Sequence, residues 1–365
     1  MRRYVGEKIR ALRERGGQHV LIIPGEFDGV SGDDSARIYT IASPCISRVT
    51  QYRVLLRLGE IGRILAAEKP DIVESGDPYQ VGFAVAHHAQ ALGLPCVAFY
   101  HSHFAESEVR PLRHWIGETA AELFVSLAAR YARRLYGRFS RTLVASPQLS
   151  RTLAGWGIAN TANVDLGVDA QRFHPGNRAS ARAELGIPAG SRVLLSVGRL
   201  AAEKNTRMLC DAFRELDGYH LLITGEGLQR DLVERLVADT GAVTWLPFLD
   251  RHEDLLRLFH AADLFVHPGV QETFGLVTLE AQACALPVVG IRGTPMDRIV
   301  CHTQEFWALE NSARALAGAI ESAFLHDLPA LGATARASVE KRFAWPVVME
   351  RLFDIYREVI HEHSR

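Results

Sequence analysis

The 365-residue chain has no apolar run near the ~18 residues of a membrane span, and its basic N-terminus lacks the apolar stretch of a secretory leader. A spanning or exported protein is therefore not expected. The five cysteines, Cys45, Cys96, Cys210, Cys284 and Cys301, include no close pair. They give neither a zinc spacing nor a disulfide framework, and three sit in apolar runs, so a reducing cytoplasm is the expected setting. The net charge is −1, which supplies no global field to draw the protein to nucleic acid or membrane. The chain also has no internal repeat, no low-complexity segment and no Asp-x-Asp pair.

What is present reads as two α/β domains. Hydrophobic residues make up 48% and charged residues 23%, ordinary values for a globular chain, and the length exceeds what one core usually holds. Short apolar segments alternate with helical patterns. HVLIIPG, DIVES, CVAFYH and RTLVAS are the strand candidates of the first half, and RVLLSVG, HLLITGE, AVTWL, DLFVHP and PVVGI those of the second. Parallel sheets covered by helices on both faces follow. The polar, Gly- and Pro-containing stretch between them puts a domain boundary near Arg172 to Arg182. Such domains bind ligands outside the carboxyl ends of their strands, so a cleft between the two is where a site is expected. The chain opens on a helical pattern, MRRYVGEKIRALRERGG, where a doubly wound domain would begin with a strand and a Gly-rich turn. Either that first strand is missing from this chain, which is the expectation, or the sheet is one strand short.

The stretch HPGVQETFGLVTLEAQACALPVVG, from His267 to Gly290, places Glu272 and Glu280 on either side of a helix start. Gly275 is a natural hinge into that helix, whose first turn offers unpaired N–H groups and a positive dipole end. A carboxylate beside a phosphate would repel it, so Glu272 is expected to face hydroxyls of a group carried by the phosphate. Glu280, further along, can accept hydrogen bonds from a second diol. Two polyols with a diphosphate between them describe a nucleotide sugar. In VGRLAAEKN, Gly198 ends a strand, and Arg199 and Lys204 follow as cations for a diphosphate. A solvated helix start is the plainer reading of that loop. The missing Asp-x-Asp shifts weight to the pair, because a leaving diphosphate then needs cations and backbone amides.

These segments, with VDLGVDAQRFHP, together resemble the large retaining glycosyltransferase family 4, which has the two-domain GT-B fold. The resemblance runs nearly the length of the chain and implies two Rossmann-like domains facing across a cleft. Residues 1–175 would form the acceptor-side domain and 176–344 the nucleotide-sugar-binding domain. Residues 345–365 would form a C-terminal helix packing back on the first domain. The resemblance also implies roles. Glu272 would contact the donor sugar and Glu280 the ribose. The amides of Phe274, Gly275, Leu276 and Val277 would meet the phosphates, with Gly198, Arg199 and Lys204 at the diphosphate. In VAFYHSHF, His101 stands at a strand end where the family carries a histidine facing the donor sugar; His103 is its neighbour on the same face. No metal ligand and no cofactor are expected, the donor being a UDP- or GDP-sugar.

Departures from the family pattern accompany the match. The first Gly-rich loop is absent, Ala285 stands where glycine is usual, and CHTQEFWALEN replaces a Gly-rich segment, so no role is carried over there. The stretch Arg110 to Arg141 holds seven arginines against two glutamates, with aromatic residues interleaved. It is either a solvated helix packed on its own domain or a peripheral contact with an anionic inner membrane face. Together with YHSHF it loosely resembles the branch that glycosylates membrane lipids with mannose or sulfoquinovose. The expected activity is retaining, metal-independent transfer of a hexosyl group to a lipid or glycan, with no nucleic-acid partner. The alternatives are a nucleotide-sugar-binding protein impaired in catalysis and a GT-B sugar-nucleotide epimerase.

Overall fold

The computed structural model describes residues 2–47, 52–101, 117–247, 249, 252–272 and 274–365. His103 and the part of the arginine-rich stretch before residue 117 lie outside them. The chain divides into two compact units, Met1–Asp165 with Val348–Arg365, and Leu166–Val347.

The first unit opens with the helix Arg2–Glu14, whose buried residues Tyr4, Lys8 and Ala11 recur at the spacing of one helix face. Strand β1 (His19–Gly25) pairs parallel with β3 (Ala36–Ala42), and β2 (Gly29–Asp33) runs antiparallel to β3. A two-stranded ladder joins β4 (Cys45–Ser47) to β5 (Tyr52–Arg53). Strands β6 (Val73–Ser75), β7 (Cys96–Tyr100), β8 (Arg141–Val144) and β9 (Thr161–Asn163) form a second, wholly parallel sheet in that order. Every residue of β7 is buried, as a strand covered on both faces must be. Ile61, Leu65, Val85, Tyr100, Leu135 and Leu153 are among the residues that make the core beneath it.

The helix Trp345–His363 starts in the second unit and from Val348 belongs to the first. There Tyr356 joins a buried polar cluster. Lys8 Nζ donates to Glu74 Oε1 at 2.8 Å and to Tyr356 Oη at 3.3 Å, and both Tyr4 and Tyr356 donate to Glu74 Oε2. Burial alone would raise the Glu74 carboxyl, but the Lys8 charge and three hydrogen bonds outweigh it and hold it below the usual range. Burial, reinforced by Glu74, pushes both tyrosine hydroxyls well up.

The second unit is one parallel sheet. β10 (Arg192–Val197), β11 (Tyr219–Thr224), β12 (Val243–Leu246), β13 (Leu264–Val266) and β14 (Val288–Val289) lie in the order β12-β11-β10-β13-β14. The chain steps outward from β10 to β12 and then crosses back to β13. The crossing leaves a switch point between the carboxyl ends of β10 and β13, where a sheet of this kind binds its ligand. All nine strands expected from sequence are present. Those not foreseen are β2 to β5 and β9; β2, for example, reads GVSGD and is exposed along its length, so it carries no apolar signal.

CHTQEFWALEN, for which no role was carried over, closes the outer edge of this sheet. Val288 N–H donates to His302 Nε2 at 2.9 Å, and Trp307 Nε1 donates to Val288 O at 3.0 Å. An edge strand whose polar groups are used in this way offers little to another chain.

Candidate functional site

Both loops at the switch point are held by short-range geometry. Gly198 N–H donates to Thr224 O at 3.0 Å and Leu200 N–H to Glu226 O at 2.9 Å, so the loop after β10 lies against the loop after β11. A Cβ at Gly225, where φ is +140°, would come within 1.8 Å of Gly198 O. Gly225-Glu226-Gly227 is therefore a close-packing device, and its part in the site is to seat the segment that carries Arg199.

After Gly198 the chain makes one 3₁₀ turn, Ala202–Lys204, and Asn205 takes a left-handed conformation at φ 54°. Asn205 Nδ2 donates to Pro268 O at 2.8 Å and to Asn311 Oδ1 at 2.9 Å. That clamp draws the turn onto the loop leaving β13. Lys204 Nζ meets Glu272 Oε2 in a salt bridge whose side chains are 24% and 17% exposed. Arg199 points elsewhere: it is 72% exposed and pairs with Glu203 at 2.9 Å. The two cations expected to share a diphosphate thus stand on one loop, but only Lys204 sits against the glutamate.

The helix Leu276–Ala283 begins at Gly275, whose φ of 84° lets the chain turn into it. Glu272 Cγ lies 3.6 Å from where a Gly275 Cβ would be, so the carboxylate-bearing side chain rests against the helix start. Leu276 and Val277 are half-buried, while Thr278 through Ala283 are buried. Gln282 fixes the helix by donating to Ile299 O at 3.1 Å and accepting from Cys301 N–H at 2.7 Å. Arg336 caps the far end by donating to Ala283 O, a cation at the negative pole of the helix. Thr278 N–H and Leu279 N–H both donate to Gly275 O, at 3.0 and 3.3 Å, so the amides at the very start of the helix, those of Leu276 and Val277, are the ones a helix cannot pair internally. Phe274 is buried edge-on to Phe343, with ring centres 6.2 Å apart, so its backbone rather than its side chain is available to a ligand. Glu280 is 5% exposed, one turn inside the helix.

His267 received no role in the sequence reading. It follows β13 directly and is 6% exposed, and its Nε2 has no hydrogen-bond partner among the described residues. Burial pushes its imidazole down to about 4, with Glu272 opposing and Lys204 adding to the effect. A histidine at the carboxyl end of a central strand is the signal that was available for it.

His101 belongs to the first unit, one residue past β7. Its ring stacks on Phe99 with centres 3.9 Å apart and meets Tyr4 edge-on at 5.8 Å. Nε2 is buried without a partner among the described residues, and burial pushes the imidazole down to about 4 against the pull of Glu74. A neutral ring of this kind can donate one hydrogen bond and accept another.

Comparison with known proteins accounts for both halves. Residues 1–172 match the family model described as Glycosyltransferase Family 4, and residues 177–336 that described as Glycosyl transferases group 1. A GDP-mannose-dependent alpha-mannosyltransferase of Mycobacterium tuberculosis is 29% identical over 362 residues, covering 96% of this chain and 91% of the relative. A D-inositol 3-phosphate glycosyltransferase of Mycolicibacterium paratuberculosis is 32% identical over 250 residues, covering 61% and 54%. Among solved structures, sucrose-phosphate synthase from Thermosynechococcus elongatus superposes with a TM-score of 0.76 at 24% identity, over 98% of this chain and 93% of that one. The Anabaena protein HepE in complex with UDP-glucose gives 0.68 at 17%, over 93% and 99%. Two Rossmann-like units, each matched by its own half of the family, mean that the chain belongs to glycosyltransferase family 4, with the GT-B fold.

Proposed function

We propose that this glycosyltransferase moves a hexosyl group from a nucleoside diphosphate sugar to a lipid or glycan acceptor, with retention of configuration and without a metal ion. The observation that carries the donor half is the pairing of Lys204 with Glu272 at the switch point, against the start of the helix Leu276–Ala283. A cation, a carboxylate and the Leu276 and Val277 amides at a helix start suit a charged diphosphate joined to a polyol. GDP-mannose is the favoured donor, because mannosyltransferases using it align with nearly the whole chain.

On this reading the first-turn amides and Lys204 hold the diphosphate, with Arg199 swinging in from its exposed position. Glu272 orders the sugar hydroxyls and Glu280 the ribose. The bond from the anomeric carbon to the diphosphate oxygen breaks as the acceptor oxygen bonds to the same face, and the acceptor proton passes to the departing diphosphate. His101, held neutral by burial, steadies the sugar by hydrogen bonding and attacks nothing. His101→Ala should then lower turnover severely and leave nucleotide affinity nearly intact. A glycosyl adduct on any side chain, caught by mass spectrometry during turnover, would refute this course.

Transfer assayed with and without EDTA tests metal independence, and activity lost to the chelator and restored by magnesium or manganese would overturn it. In the same assay Arg199→Ala and Lys204→Ala should each slow transfer by about 100-fold or more.

For the acceptor side we infer contact with an anionic membrane surface. The helix Glu118–Tyr136 exposes Leu123, Phe124 and Leu127, and the exposed Arg130 and Arg134 recur at the spacing of the Leu123/Leu127 side. Sedimentation with vesicles containing anionic phospholipid should carry the protein down at low salt, and sedimentation no greater than with neutral vesicles would remove this part of the reading.

A further inference from the structure

The paired state of Lys204 raises a question that the donor reading leaves open. If Lys204 turns to a diphosphate, Glu272 loses its counter-ion at the moment it must order the sugar, in a crevice where both side chains are largely shielded. An unpartnered carboxylate there is costly unless another donor replaces the ammonium. Among the described residues, His267 is a candidate. His267 is buried and its Nε2 has no partner among the described residues, an uncommon state for a buried polar atom. Its surroundings place it in the same seam. A Cβ at Gly269 would lie 3.4 Å from His267 Nε2, 3.7 Å from Lys204 Cα and 3.8 Å from Glu203 O. Gly269 has no side chain to fill that space, so imidazole and lysine turn face each other across bare backbone. The charges of Glu272 and Lys204 both act on the ring.

We propose that His267 is a positioning residue for the donor sugar, whose Nε2–H becomes the hydrogen-bond partner of Glu272 once the donor diphosphate has drawn Lys204 away. One carboxylate oxygen then rests on His267 and the other stays with the sugar hydroxyls. The inference rests on the donor-site reading above and deepens it, because it assigns the sugar-dependent part of donor affinity to a residue that touches neither diphosphate nor sugar.

The neutral ring suits the role. An imidazolium would pair with Glu272 before the donor arrives and add a second positive charge beside Lys204. A neutral ring donates from Nε2 and leaves the charge balance of the crevice to the ligand.

The test compares a nucleoside diphosphate with its sugar by calorimetry, using GDP and GDP-mannose, or UDP and UDP-glucose if that pair binds more tightly. The proteins are wild type, His267→Leu and His267→Gln, each checked for an unchanged circular dichroism spectrum. His267→Leu should keep diphosphate affinity within about threefold of wild type while weakening the nucleotide sugar by about tenfold or more. His267→Gln, which still offers an N–H donor, should restore most of that loss. Equal losses for both ligands, no loss for either, or failure of glutamine to restore binding would each overturn the proposal. A readout on the unmutated protein covers the case in which neither variant folds. In a ¹⁵N-histidine spectrum, the His267 Nε2–H signal should shift on adding the nucleotide sugar, and an unmoved signal at saturation would overturn the proposal. Wild-type protein that binds none of the four nucleotides would instead remove the donor-site reading itself.

Discussion

Ala285 sits at φ +57°, a left-handed conformation that costs an alanine about 1 kcal/mol or more and a glycine almost nothing. It ends the helix Leu276–Ala283, at the position where the sequence departs from the family's glycine. Ala285→Gly should therefore raise stability by about 1 kcal/mol, read as a higher urea midpoint with unchanged slope. A lower midpoint would mean that the alanine methyl contributes packing that outweighs the strain. The glutamates allow a second test. Glu280 is buried in the helix and Glu272 is tied to Lys204. Glu280→Ala should weaken free nucleoside diphosphate by ~1.5–3 kcal/mol, and Glu272→Ala should leave it nearly unchanged. The reverse order in calorimetry would mean the two roles are exchanged. Both glutamates were legible because they lie on one contiguous motif. Lys204 and Glu272 are 68 residues apart, and nothing local announces that they touch. His267 was passed over because a single histidine after a strand looks the same whether its nitrogens are satisfied or not.

Among the elements, the helices Arg2–Glu14 and Trp345–His363 meet β6 through charge rather than through apolar packing alone. Lys8 and Glu74, 7% and 13% exposed at their side chains, form a buried pair to which Tyr4 and Tyr356 add hydrogen bonds. Removing one partner strands the other, so Lys8→Met should cost ~3–5 kcal/mol in urea unfolding, and Lys8→Met with Glu74→Leu should recover most of it. A single-variant loss under about 1 kcal/mol would show that water reaches the site. Tyr4 also touches the His101 ring, so the same cluster backs a residue of the proposed site. From sequence, Lys8 was one more basic residue on an amphipathic helix. Its partners lie 66 and 348 residues away, beyond the reach of any periodicity. The strands were easier to read, because a buried parallel strand is a short apolar run and a bounded one. The exposed β2 has no such run.

At the scale of the whole molecule, acid should weaken both units. His19 and His101 in the first and His267 in the second are pushed by burial to about 4, and His302 is lowered as well. In the unfolded chain these rings titrate near 6.5, so the unfolded state binds more protons between pH 6.5 and about 4. The contribution of His19, His101 and His267 is complete above pH 6.5 and is lost as pH falls toward 4, by about 1.4 kcal/mol per pH unit for each of the three, and His302 acts in the same direction. Urea midpoints at pH 7, 5.5 and 4.5 should drop steadily, and a flat profile would show that the imidazoles are solvated. The proposed donor crevice lies in the second unit, at the switch point between β10 and β13. Calorimetric titration of GDP and UDP into wild type and Lys204→Ala probes it. One of the two nucleotides should bind wild type, and the alanine variant should bind it at least tenfold more weakly. Equal affinity for wild type and variant would contradict this reading of the crevice.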